Sequence, residues 1–252
     1  MHKVDINLLL QLSQNVGQGL LSFYRSNYDV QQKADKTLVT TADQWAHREI
    51  VKVLESSYPH IPLLSEENNA THAYEVRQHW EYFFLIDPLD GTKEFINKNG
   101  EFTINMALIY KTMPMMGLIY VPMADTHYYA IKDKGAFKLK NQQLTRLPSL
   151  PSSQQPRLLI SRSHACVKTQ QYMTQKPYSE MQVTPMGSAL KFGKLAESSA
   201  DVYLRYTPTM EWDTAAGHLI AMEAGKKLQL LESDSALTYN KPSLINPGFI
   251  IE

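Results

Sequence analysis

Apolar positions at Leu9, Leu12, Val16, Leu20 and Phe23 recur at helical spacing, which predicts an amphipathic first helix. Gly17 and Gly19 fall inside that pattern and weaken it. Gln31 to Val39 is polar and reads as a connector or short hairpin. Thr41 and Gln44 then match a capping box ahead of apolar Ala46, Ile50, Val53 and Leu54. A second helix should therefore run to about Tyr58, before Pro59, with Asp43 in its first turn. Ile61 to Ser65 reads as a short strand running into Glu66-Glu67, followed by a polar loop or weak helix from Asn68 to Trp80. Phe83-Phe84-Leu85-Ile86 is a buried-strand run. Beyond it, Phe102 to Tyr110, Met116 to Pro122, His127 to Ile131 and Ala136 to Leu139 have the character of an antiparallel meander.

The pattern changes after a polar stretch, Gln142 to Gln155, that contains Pro148 and Pro151. This is the expected boundary between residues 1–145 and residues 156–252. Strands at Arg157 to Ile160, Gln182 to Pro185 and Val202 to Arg205 now alternate with helices. One runs to about Lys176, one follows Gly187-Ser188, and one follows Trp212-Asp213 and ends near Gly225. That alternation implies a layered α/β second half.

Composition narrows the function. The chain has 252 residues, with 25 Lys plus Arg against 25 Asp plus Glu, so no basic surplus points to nucleic acid. Cys166 is the only cysteine, which rules out an intrachain disulfide and four-thiolate metal sites. No apolar run is long enough to cross a bilayer. The expectation is a soluble cytoplasmic protein, with peripheral association at the inner membrane left open.

Candidate chemistry gathers where the apolar run ends, at Asp87-Pro88-Leu89-Asp90-Gly91-Thr92. Pro88 biases Asp87 toward an extended backbone, and Gly91 permits a geometry that other residues resist. Two carboxylates so close repel unless a cation lies between them, which suits a hard divalent ion, Mg²⁺ above all. On these residues alone, a metal-binding turn and a plain surface turn stand level. Asp43, Glu66 and Asp213 also precede or open regular elements. Their simpler readings are a helix-dipole carboxylate, a solvated loop and an N-cap. In the second half Arg162, His164, Lys191 and Arg205 offer positive charge, although a solvated face is the simpler reading for Lys191 and Arg205. Ser188 opens a helix, where free N–H groups favour an anion. A strand followed by Asp-x-Asp-Gly-Thr would suggest a haloacid-dehalogenase-type phosphatase with Asp87 as nucleophile. Here one residue too many separates the two acids, and the motif lies too far from the start of the chain.

Ser65-Glu66-Glu67, Asp87-Pro88-Leu89-Asp90-Gly91-Thr92 and Trp212-Asp213-Thr214-Ala215-Ala216-Gly217, in this order, resemble the Mg²⁺-dependent, lithium-sensitive inositol monophosphatase superfamily. Lys93-Glu94-Phe95, Asn99-Gly100-Glu101-Phe102-Thr103, Ile160-Ser161-Arg162-Ser163-His164, Gly187-Ser188-Ala189-Leu190-Lys191-Phe192 and Asn246-Pro247-Gly248-Phe249 are similar to bacterial 3′(2′),5′-bisphosphate nucleotidases of the CysQ type. The resemblance implies an αβαβα sandwich. It implies two or three Mg²⁺ held by Glu66, Asp87, the Leu89 carbonyl, Asp90 and Asp213, with Asp43, Thr92 and Glu66 catalytic. Gly91, Thr92, Ser163, His164, Ser188, Lys191, Arg205 and Asp213 would contact substrate. The implied substrate is 3′-phosphoadenosine 5′-phosphate, a by-product of sulfate activation and sulfonyl transfer, cleaved to AMP and phosphate. The alternatives are an inositol or sugar monophosphate on the same centre, or a catalytically silent nucleotide-binding regulator. Asp35 to Thr40 departs from the Ser-Pro-Val-Thr that family members commonly have in a loop serving a third metal. Oligomeric state, monomer or homodimer, is left undetermined.

Overall fold

The computed structural model describes residues 4–26, 29–32, 38–150, 155–164, 166–233 and 235–252. Helix α1 (Ile6–Arg25) buries Leu9, Leu12, Val16 and Leu20 along one face. Its two glycines have a packing cause. A Cβ on Gly17 would stand 2.3 Å from the Tyr120 ring, and one on Gly19 would stand 1.9 Å from the Trp45 ring. Strands β1 (Val30–Gln32) and β2 (Leu38–Thr40) pair antiparallel, and the loop between them lies outside the described residues.

Helix α2 (Thr41–Ser57) starts one residue earlier than the capping pattern predicts. Thr40, not Thr41, is the N-cap, and Asp43, not Gln44, closes the box. The Asp43 carboxylate accepts from the Thr40 backbone N–H at 2.7 Å and from its hydroxyl at 2.6 Å. The helix start thereby fixes Asp43 below the protein surface.

Strand β3 (Leu63–Ser65) leads through a 3₁₀ turn and the short α3 (Tyr74–Arg77) to β4 (Tyr82–Asp90). After α4 (Thr92–Ile96) come β5 (Thr103–Tyr110), β6 (Met113–Val121), β7 (Thr126–Ile131), β8 (Gly135–Lys140) and β9 (Gln143–Arg146). These form a seven-stranded sheet in the order β3-β4-β5-β6-β7-β8-β9. Only the β3–β4 pair is parallel. The pattern missed β9 because it is an edge strand with largely exposed side chains and so carries no apolar alternation.

The apolar run of β4 is explained by a sheet covered on both faces. Phe84 and Ile86 join the core under α1 and α2, together with Ile104, Met106, Leu118 and Tyr120. Phe83 and Leu85 point to the other face, with Ile109, Ile119 and Ala130. That second core is shared with the C-terminal elements. These are β10 (Arg157–Ser161), α5 (Val167–Met173), β11 (Gln182–Met186), α6 (Leu190–Ala196), β12 (Val202–Arg205), β13 (Thr209–Met210), α7 (Glu211–Glu223), β14 (Leu228–Leu230), β15 (Ile245–Asn246) and β16 (Phe249–Ile251).

A five-stranded sheet runs β11-β10-β12-β16-β14, with β11, β10 and β12 parallel. Leu159, Tyr203, Phe249 and Ile251 face inward onto α6 and α7, while Leu158, Ile160, Val202 and Leu204 face outward toward Tyr172 and Met173 of α5. The layers are therefore α1/α2, sheet, α6/α7, sheet, α5. Helix α7 is buried nearly all round, so its hydrophobicity is not confined to one stripe.

The start of α7 is fastened by a buried polar network. Glu211, fully buried, accepts from the N–H groups of Asn240 at 2.6 Å and Lys241 at 3.0 Å, and from the Lys241 ammonium at 2.6 Å. Lys241 continues to Asn246, whose amide donates to Thr214 and to the Met210 carbonyl. Arg77 and Asn240 exchange bonds in both directions, tying this turn to the first half. Removing one partner of a buried ion pair leaves an uncompensated charge, so Glu211→Ala should lower unfolding stability by roughly 3 kcal/mol. A urea titration whose midpoint barely moved would contradict that reading of Glu211.

Candidate active site

Strand β4 pairs regularly with β5 up to Asp87, and the register then shifts between Asp87 and Asp90. Pro88 has no N–H to offer the ladder. Gly91 follows at φ +89°, in the left-handed region, and a Cβ there would stand 2.9 Å from the Glu101 carbonyl. The strand end thus becomes a tight turn. Glu66 follows β3, which lies beside β4 through the Ser65–Ile86 pair. Asp213 lies in the first turn of α7. It is not the N-cap that the sequence suggests; Met210 is, and Asp213 accepts its N–H at 2.9 Å. Glu66, Asp87, Leu89, Asp90, Gly91, Thr92 and Asp213 all line one cavity of about 430 Å³.

The acids there feel burial and one another. Asp87 is raised well above the usual carboxylate range, first by burial and then by Glu66, Asp90 and Asp213. Asp213 is raised by burial and by Asp90. Asp90 is raised by burial, partly offset by Lys191, Asn105 and the Ala189 N–H. Each aspartate directs one oxygen to a backbone donor: Asp87 to Leu89 at 3.0 Å, Asp90 to Ala189 at 2.6 Å, and Asp213 to Met210. Those bonds orient the other oxygen.

The Thr92 hydroxyl lies 3.0 Å from Asp43 Oδ1, joining two residues far apart in sequence. Burial pushes Asp43 up to about 6, against the opposing hydrogen bonds of Thr40 and Thr92.

Lys191 and Arg205 are buried rather than on solvated faces. The Lys191 ammonium donates to the carbonyls of Met186 at 3.0 Å and Ser188 at 2.6 Å, which leaves one N–H, and burial lowers it to about 8. Arg205 holds the Thr207 and Pro208 carbonyls. Both cations line the cavity, as do Ser188 and the exposed His164. Partial desolvation by the cavity wall, then Arg205 and Lys93, holds the His164 ring below the ordinary histidine value. Ser188 stands two residues ahead of α6, and its hydroxyl accepts the N–H of Leu190, the first helical residue, at 3.2 Å. It takes φ +50° ahead of α6, and the Ala189 N–H beyond it is directed at Asp90. Ser163 stands outside the cavity lining, with its hydroxyl on Glu94 at 2.6 Å.

Two residues with no role in the sequence reading support this arrangement. Asn105 donates to Asp90 at 3.1 Å, accepts from Thr103 at 3.0 Å and is buried in a largely apolar strand, which was its available signal. Glu101 accepts from Arg162 through two bonds of 2.7 Å and from the Gly187 N–H at 2.7 Å. It lies in a quoted motif, but nothing in one sequence shows that it reaches across to residue 187.

The donors suit a hard cation in kind: four carboxylates and a carbonyl, all oxygen, with the acids held in mutual repulsion. Among the described residues, however, no group of three His, Cys, Asp or Glu side chains is arranged to hold an ion. Each aspartate commits one oxygen to a backbone N–H, Asp87 and Asp213 within their own turns and Asp90 across to residue 189. The dehalogenase rival loses its structural context, since β4 lies in a largely antiparallel sheet and not in a parallel Rossmann-like one.

Residues 2–248 match the model of the inositol monophosphatase family. The chain belongs to that family. A Shigella flexneri protein named 3′(2′),5′-bisphosphate nucleotidase CysQ is 41% identical over 246 residues, covering 97% of this chain and 98% of that one. The crystal structure of CysQ from Bacteroides thetaiotaomicron, described as a bacterial member of the family, matches with a TM-score of 0.86 at 36% identity, over 98% and 96% of the two chains. The Thermotoga maritima IMPase shares the fold at 22% identity, with a TM-score of 0.79 over 98% and 91%. The αβαβα layering is therefore the inositol monophosphatase fold.

Within that fold Glu101 fastens the turn that carries the Ala189 N–H. Removing it in Glu101→Ala should cost about 1–2 kcal/mol of stability, because Arg162 is partly exposed while the Gly187 bond is less so. Turnover should fall by roughly tenfold at a temperature where circular dichroism shows an intact fold, as misplaced site groups do. Unchanged turnover would remove Glu101 from the site's support.

Proposed function

We propose that this chain hydrolyses the 3′-phosphate of 3′-phosphoadenosine 5′-phosphate, giving AMP and phosphate. The observation that carries the reading is one cavity lined by both the acids Glu66, Asp87, Asp90 and Asp213 and the buried cations Lys191 and Arg205. A monophosphate ester needs the first set alone; a nucleoside bisphosphate uses both. The nucleotidase names of relatives about 40% identical over nearly the whole chain support the same substrate.

Glu66, Asp87, Asp90, Asp213 and the Leu89 carbonyl would hold Mg²⁺, two or three ions in all. When bound, Mg²⁺ supplies Lewis acidity to the phosphoryl oxygens and to an attacking water. The Thr92 hydroxyl is hydrogen-bonded to Asp43, so its oxygen lone pairs would accept from that water and orient it for in-line attack. The proton leaving the water would pass to the Thr92 oxygen as the Thr92 proton passes to Asp43, a net transfer of one proton to the buried carboxylate. Backbone N–H groups of Gly91 and Thr92 would steady the phosphate. Lys191 and Arg205 are already braced by backbone carbonyls, so little side-chain freedom is lost when their remaining N–H groups meet the 5′-phosphate. Ser188 and His164 would complete the nucleotide contacts, and Ser163 would act through Glu94.

Phosphate release from 3′-phosphoadenosine 5′-phosphate and from inositol 1-phosphate, each with Mg²⁺, tests the proposal. The nucleotide should be the better substrate by at least ~100-fold in kcat/KM, since a site with paired cations loses that interaction with the inositol ester. Equal or better use of the inositol ester would overturn it, and tight nucleotide binding without release would favour a silent regulator. Asp90→Asn should lower kcat by roughly 100-fold or more with the fold intact. Near-normal turnover would refute its assignment.

A further inference from the structure

The mouth of the cavity has an apolar side. Most apolar side chains in its lining, Trp212 and Phe192 among them, are buried in the core shared by the two sheets. Pro208 and Ile245 are different: both are exposed, Ile245 by 52%. Met210, half-buried, pairs directly with Ile245 across the short β13–β15 ladder.

This patch is rigid. The Glu211 N–H donates to the Leu244 carbonyl at 2.9 Å, next to Ile245, and the Asn246 amide holds the Met210 carbonyl at 2.9 Å. On the other side, Arg205 grips the Thr207 and Pro208 carbonyls at 3.0 and 3.2 Å. A branched aliphatic side chain held open to water at the edge of a charged site gains by being covered.

What covers it follows from the chemistry of the substrate, and here the inference rests on the nucleotidase reading. A nucleoside 3′,5′-bisphosphate has one part without charge and with broad apolar faces, its base. The patch begins one hydrogen bond from the acids, because the Met210 N–H is bonded to Asp213, and it continues into the loop held by Arg205. With one phosphate held at the acids and the other at Lys191 and Arg205, the patch adjoins both anchors. We propose that Ile245, with Met210 and Pro208, forms the shelf on which the base of the substrate lies, and that Ile245 is a specificity-determining residue.

The test compares 3′-phosphoadenosine 5′-phosphate with base-free ribose 3,5-bisphosphate in the wild type, Ile245→Ser and Ile245→Leu. Ile245→Ser should raise KM for the nucleotide about five- to tenfold with little change in kcat, the scale expected for a partly exposed apolar contact. Its KM for the base-free substrate should stay at the wild-type value, and Ile245→Leu should restore nucleotide KM. An unchanged nucleotide KM, or an equal rise for both substrates, would overturn the shelf while leaving the nucleotidase reading intact. Failure of the wild type to cleave either substrate would overturn that reading, and the shelf with it.

Discussion

Like charges held close together govern this molecule. Asp87, buried, and Asp90, Asp213 and Glu66, half-buried, line one cavity, and each aspartate is driven toward its neutral form. Such a grouping persists only where the surrounding structure over-determines it. Here the restraint comes from a strand buried on both faces, a helix start tied down by Glu211, and a backbone N–H on each aspartate. Lys191 and Arg205 bring positive charge to the same cavity. The layered fold can be understood as the scaffold that keeps these opposed charges close without letting them collapse into simple ion pairs. Both cations are held away by carbonyls of their own loops.

Much of this was legible in the residues. The β4 run announced a strand covered on both faces, and the meander from Phe102 to Leu139 followed from its alternation and turns. Asp87-Pro88-Leu89-Asp90-Gly91-Thr92 showed where the strand must end. What escaped the reading was whatever depends on contact between distant segments. The capping box was placed one residue late because Thr40 and Thr41 are equally good caps by type, and only the backbone of β2 selects Thr40. Lys191 looked like a surface lysine, since a single charge on a short helix gives no sign that two sheets will close over it. Ser188 was legible as a helix start, but its turn also presents an N–H to Asp90, which arrives from the other half of the chain. Gly17 and Gly19 looked like defects and are points of close approach to aromatic rings.

The site has two functional sides with different physical demands. The acid side concentrates negative charge on rigid strand and helix ends, where a phosphoryl group in flight needs fixed, not mobile, partners. On the proposed reading the opposite requirement, telling one phosphate ester from another, falls to the short β13–β15 ladder and the turn before it, which carry Met210, Ile245 and Pro208.

The convergence of the carboxylates on a common cation can be observed directly. Crystals grown with Mn²⁺ in place of Mg²⁺ and measured at the manganese absorption edge should give anomalous peaks within about 2.0–2.3 Å of oxygens from Glu66, Asp87, Asp90 and Asp213. Peaks confined to other surfaces, with these four acids turned away from one another, would contradict the metal-centred hydrolysis on which everything else here is built.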